Sequence, residues 1–111
     1  MSESACSAEG AEPYALRVIG DSMAPEFNDG HIIIVDPGHP LVNGAFAVIE
    51  HDGQIFFAQY RRRDSRQWLQ YLNPEFAAVE LTPGYTVKGV VIQRSGRRRK
   101  EIKHYDYPTL L

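Results

Sequence analysis

The 111-residue sequence predicts a single all-β domain of short, coiled strands. Three observations lead there. Helical periodicity is nearly absent. Short runs rich in β-branched or aromatic residues recur along the chain, each ended by Gly, Pro, Asn or Asp. The stretch "VIEHDGQIFF" sets Asp52-Gly53 between two such runs, and Asp-Gly supports the positive φ angles of a tight hairpin turn.

Residues 1–13 are small, polar and acidic and read as a mobile arm. They lack the basic start and apolar centre of a signal peptide. Residues 14–19 alternate as a strand does, and Gly20-Asp21 breaks it. Residues 22–27 have room for a turn or one helical turn, and Asn28-Asp29-Gly30 is a turn by composition. Residues 31–35 form an apolar run short enough to be a strand buried on both faces, closed by Asp36-Pro37-Gly38. Residues 45–50 and 54–61 form the hairpin. Residues 67–72 read as a strand ended by Asn73-Pro74, and residues 85–94 as the last strong strand. The domain therefore spans residues 14–94, followed by a basic tail over 95–111.

Composition bounds the function. No run of eighteen apolar residues exists, so no transmembrane helix is expected. The one cysteine, Cys6, cannot staple the fold, which points to a reducing cytoplasm. The four histidines, His31, His39, His51 and His104, lack metal-ligand spacing and read as surface or turn residues; no metal and no cofactor is expected. The formal charge of −2 hides an asymmetry. Residues 1–56 carry nine acidic side chains against Arg17 alone, whereas residues 57–111 carry eleven basic against five acidic. Most of the basic residues fall in two runs, one with Arg61, Arg62, Arg63 and Arg66, the other with Arg94, Arg97, Arg98, Arg99, Lys100 and Lys103. Such runs attract nucleic acid or an acidic partner, with Arg61, Arg62, Arg63, Arg97, Arg98 and Arg99 as the candidates. The plainer reading is a solvated hairpin edge and a solvated tail, since no groove-reading helix and no aromatic interleaving accompanies them.

Ser22 raises the sharper question. On its own Gly-Asp-Ser-Met is weak, because Asp and Ser are common turn and cap residues. The order "GDSMAPEFNDG", "HIIIVDP", "PLVNGAFAVIEHDGQIFF", "LNPEF" and "VKGVVI" resembles the peptidase S24 family across roughly residues 14–94. That family comprises C-terminal domains of the SOS repressor LexA, lambda-type phage repressors, and the UmuD-like subunit of an error-prone polymerase. The resemblance implies a LexA/signal-peptidase-like fold of several short, coiled sheets and a Ser-Lys dyad. In that dyad the serine of the turn attacks a peptide carbonyl. A lysine kept neutral by burial takes its proton, and backbone N–H groups at the turn hold the oxyanion.

Ser22 falls on the nucleophile position. Counting from Asn43-Gly44 through Asp52-Gly53 without a gap puts the lysine position at Ala58, in "IFFAQY". A one-residue slip reaches only Phe57 or Gln59 and turns the side chains to the other face. Phe56 and Tyr60, on Ala58's own face, are no bases at neutral pH. The dyad is broken. Of the three lysines, Lys88 lies in the last strand at a position the family does not use, and Lys100 and Lys103 lie in the basic tail. His31 and Ala45 also replace aspartates common in the family. Two origins of Ala58 stay open, natural loss of the lysine or its deliberate replacement by alanine, and the drift at His31, Ala45, Gln59 and Tyr60 leans towards natural loss.

The resemblance implies two further absences: a self-cleavage Ala-Gly or Cys-Gly bond some way before the serine, and a helix-turn-helix. The expectation is the processed or stand-alone form of such a domain. Three readings compete. The first is a catalytically silent S24-type domain acting as a homodimer or partner-binding module, its partner a repressor or a lesion-bypass polymerase. The second is an active peptidase with another base, and the third a small nucleic-acid-binding protein. The dimer expectation has a local motive, an unpaired edge along the apolar strand over residues 85–92.

Overall fold

The computed structural model describes residues 12–108. The arm expected over 1–13, with Cys6, lies outside them up to residue 11. Eight strands form: β1 (Tyr14–Arg17), β2 (Ile32–Asp36), β3 (Phe46–His51), β4 (Gln54–Arg63), β5 (Arg66–Gln70), β6 (Val79–Glu80), β7 (Thr86–Ser95) and β8 (Lys103–His104). One 3-10 turn, Arg99–Glu101, precedes β8. Among the described residues no helix is long and apolar enough to cross a membrane.

The all-β class is as expected, but the strands join in one continuous antiparallel sheet rather than several. Its order is β1-β2-β7-β3-β4-β5-β6, with β8 also on β7. Coiling comes from two irregularities in the ladder, between Ile34 and Val35 on β2 and between Val48 and Ile49 on β3, since a bulge raises local twist. Opposite the second, Gly89 has φ +152°. A Cβ there would stand 2.4 Å from Val35 Cγ1 and 3.1 Å from the Asp36 backbone, so only glycine lets β7 pass β2 this closely.

The hairpin forms in the expected register, with Ala47 opposite Ala58 and His51 opposite Gln54 around the Asp52-Gly53 turn. The strand buried on both faces is β3, not β2. Val48 joins a core of Val18, Met23, Phe27, Ile33, Val35 and Val91, while its neighbours Ala47 and Ile49 join Ala58, Tyr60, Leu69 and Leu81 on the other face. In β2 only Ile33 and Val35 are fully covered, because Ile32 and Ile34 point to a face that nothing packs over completely. β7 lies in the interior of the sheet between β2 and β3, so the edge that motivated a dimer is absent.

Part of the expected tail docks on the domain, through β8, Tyr105 and Tyr107. β8 pairs with β7 through Gln93↔His104 and Arg94↔Lys103. Tyr105 stacks near Phe27, with ring centroids 5.4 Å apart. The Tyr107 hydroxyl donates to Val91 O (2.7 Å) and lies 3.4 Å from the Phe46 N–H, which donates to it. It thereby closes the ladder where β3 and β8 meet on one side of β7. His51 corrects another expectation: it is buried, and its Nε2 accepts from the Thr82 N–H (3.2 Å) with the Thr82 hydroxyl 2.9 Å away.

Candidate functional site

The loop after β1 carries Ser22, and its shape is fixed from both ends. Gly20 (φ +88°) turns the chain, and its N–H donates to Asp29 Oδ1 at 2.7 Å. Met23 and Phe27 are fully buried, and Phe27 meets Phe46 and Phe57 edge-on at 4.9 and 5.0 Å. These two side chains, sunk in the core just after Ser22, leave it half-exposed on a core-pinned turn. His31, where an aspartate was expected, still closes the neighbouring turn: its Nδ1 accepts from the Asn28 N–H at 2.9 Å.

Asn73 holds the loop from the opposite side. Its N–H donates to Ser22 O (3.0 Å) and its side-chain amide to Asp21 O (3.1 Å), while its Oδ1 accepts from the Glu75 N–H. From sequence, Asn73-Pro74 reads only as a strand end. The Asx-turn habit of asparagine before proline is the signal that could have marked it. Glu26 is a second anchor that sequence reasoning passes over. Its Oε2 accepts from Lys103 Nζ (2.7 Å) and from the Tyr105 hydroxyl (2.6 Å), and its backbone oxygen from Arg94 (2.6 Å). Burial alone would push the Glu26 carboxyl up. The hydrogen bonds from Lys103 and Tyr105 and the charges of Lys103 and Arg94 outweigh it and hold the group below its usual range.

Ser22 opens onto a cleft of about 270 Å³ whose walls include Leu16, Arg17, Ile19, Phe56, Phe57 and Tyr71. The rim is apolar and open, with Ile19 84% and Ile55 59% exposed. The cleft thus brings Ser22 beside β4 at Phe56 and Phe57. Ala58, the next residue, is fully buried in the second core and does not line it. Tyr71 links the two. It packs against both cores, lines the cleft, and stands one register step past Gln59↔Gln70, opposite Ala58. Burial pushes its phenol upward, so near neutral pH it is uncharged. The titratable groups of the cleft wall are therefore a guanidinium and a protonated phenol, and neither accepts a proton there.

The lysines are committed elsewhere. Lys88 pairs with Glu50 at 3.2 Å across β7 and β3, and Lys103 with Glu26. Lys100 is exposed on the 3-10 turn. Among the described residues no group of three or more His, Cys, Asp or Glu could hold a metal. The arginine runs divide. Arg94 is internal, while Arg97, Arg98 and Arg99 are exposed at the 3-10 turn. Arg61, Arg62 and Arg63 end β4, on an element separate from the Ser22 loop.

A serine on a core-pinned turn, opening onto a cleft beside a β-hairpin, sets an all-β class in which that serine is the candidate functional group. A family model described as Peptidase S24-like matches residues 1–92, and the chain belongs to that family. It is 33% identical over 98 residues to the prophage repressor CohE of Escherichia coli K12, covering 85% of this chain and 44% of that protein. It is 33% identical over 87 residues to the HTH-type transcriptional regulator for conjugative element SXT of Vibrio cholerae (72% and 40%). It is also 33% identical over 69 residues to the LexA repressor of Ectopseudomonas mendocina (61% and 34%). The chain spans less than half the length of these relatives.

Proposed function

We propose that this is a catalytically silent S24 domain that acts by dimerisation or partner binding in repressor-type regulation. The observation that carries the reading is the composition of the Ser22 cleft: a nucleophile position without a base, with Ala58 where the family's lysine would stand and Tyr71 packed between the two cores beside it. A serine hydroxyl is a weak nucleophile near neutral pH unless an adjacent base activates it. The cleft itself remains. Its rim bears the apolar Leu16 and Ile19 beside the edge strand β1, and an edge strand beside such a cleft suits an extended peptide segment held without being cut. The repressor names of its relatives support a role in transcriptional control.

The test is a gain of function. Ala58→Lys brings in an amine and Tyr71→Ala makes room for it, so the double variant should cleave an Ala-Gly peptide supplied in trans. The expected gain is about 10² to 10⁴-fold over the native chain, the usual worth of general-base assistance. It should rise with pH as the lysine deprotonates and vanish on adding Ser22→Ala. A native chain that already cleaves that peptide as fast as the double variant overturns the reading.

A further inference from the structure

The β4–β5 hairpin carries a surface that the Ser22 cleft does not use. Directly opposed residues of an antiparallel pair share a face. The register pairs Arg61 with Trp68 and Arg63 with Arg66, so these four side chains stand on one face of the hairpin. Arg62 stands on the other, opposite Gln67. The sequence hides this arrangement, because Trp68 is seven residues from Arg61 and lies outside the run RRRDSR. Once the hairpin is closed, the aromatic ring is interleaved with the cations.

The surroundings leave that ring approachable. Two hollows, of about 370 and 390 Å³, meet at Trp68 and Arg66. Ala78 and Glu80 complete the first, Arg63 and Asp64 the second. The Trp68 N–H reaches only Gln70 Oε1 on its own strand, at 3.4 Å. Two acids temper the charge: Glu80 lies 3.5 Å from Arg66, a pair exposed enough to exchange for a better partner, and Asp64 sits in the turn. Arg61 and Arg63 form no ion pair among the described residues.

We infer that the Arg61–Arg63–Arg66–Trp68 face binds single-stranded nucleic acid, with a base stacked on Trp68 and the arginines on the flanking phosphates. Cations that track a backbone beside an aromatic platform for bases are what sequence-tolerant single-strand binding needs. A duplex would meet the arginines but keep its base faces stacked internally. An acidic peptide would meet them too, but would bring no flat face to the indole.

Trp68 is the chain's one tryptophan, so its fluorescence reports this site alone. Titrating a short oligothymidylate into the intact protein should quench that fluorescence. The logarithm of affinity should fall with the logarithm of salt with a slope of about −2, at about −0.7 per phosphate contacted for three arginines. Arg61→Gln, Arg63→Gln and Arg66→Gln should each flatten the slope by about 0.7. Trp68→Leu, followed by anisotropy of a labelled oligonucleotide, should weaken binding at least about fivefold with the slope kept. Circular dichroism matching the native chain shows each variant folded, and a variant that is not folded is replaced by Met at the arginines or Ile at Trp68, which likewise remove the charge or the aromatic face. Absence of quenching and of salt-dependent binding overturns the inference. So does binding that survives these substitutions but is lost with Arg97→Gln, Arg98→Gln and Arg99→Gln together, or polyglutamate binding as tightly as the oligonucleotide.

Discussion

Lys103 on the C-terminal strand places its ammonium 2.7 Å from Glu26 Oε2 on the loop that carries Ser22. Residues beyond β7 are thus part of what shapes the candidate site. Arg94 and Tyr105 converge on the same glutamate. Half-buried, charge-assisted bonds of this kind are worth more than surface pairs, so Glu26→Gln should cost about 1–3 kcal/mol at neutral pH.

The pH dependence of that loss has a definite sign. The folded-state pKa of Glu26 lies below its ordinary value of 4.5, so its contribution is present above that value and lost as pH falls through the folded one. Thermal melts of native and Glu26→Gln protein should differ most near neutrality and converge as pH drops below about 4.5. A gap that stays constant into the acid range would mean that the carboxylate's charge is not what anchors the loop.

At the alkaline end Tyr107 contributes beside Tyr105, whose phenol burial and Glu26 push up still further. Burial, with a smaller push from Glu26, raises its phenol to about 12 despite its hydrogen bond with the Phe46 backbone. A raised folded pKa means stability that is intact below the ordinary value of 10.0 and lost as pH climbs towards 12. Tyr107→Phe removes the hydroxyl between Val91 O and the Phe46 N–H. It should cost about 1–3 kcal/mol at neutral pH and shrink the alkaline loss. Melting points across the alkaline range check both.

Gly89 tests the close approach of β2 and β7. Gly89→Ala must adopt φ +152° and place a methyl 2.4 Å from Val35 Cγ1, and should destabilise by about 2–5 kcal/mol. Gly38→Ala, whose nearest neighbour would be 3.5 Å away, should stay within about 0.5 kcal/mol of the native chain. Denaturant midpoints of the two variants give the comparison.

The strands that carry their own signal were legible in the sequence. Asp52-Gly53 set the hairpin register, and the alternation after Pro13 set β1 to within two residues. β6 and β8, two residues each, have no periodicity to read and exist only because β5 and β7 offer them edges. The double burial of β3 was equally hidden, since it depends on the Ser22 loop covering one face and β5–β6 residues the other. Of the proposed site, Ser22 was marked by its turn and lines the cleft, whereas Ala58, reached by counting, is buried behind it. Asn73, Glu26 and Tyr71 were not marked, because the first two hold the loop through partners at least 51 residues away in the chain and Tyr71 acts by packing against both cores. The charge runs misled in part: Arg94 and Lys103 hold the Ser22 loop through Glu26, and Trp68 joins the arginines only across the hairpin.

The most direct test of the silent-site account is labelling of the native chain at Ser22 by a serine-directed fluorophosphonate between about pH 6 and 9, where a depressed lysine would titrate. With only Arg17 and a protonated Tyr71 as titratable groups in the cleft wall, labelling should match the Ser22→Ala background and show no titration. Labelling that depends on Ser22, rises with pH and equals that of the Ala58→Lys, Tyr71→Ala variant would contradict the account.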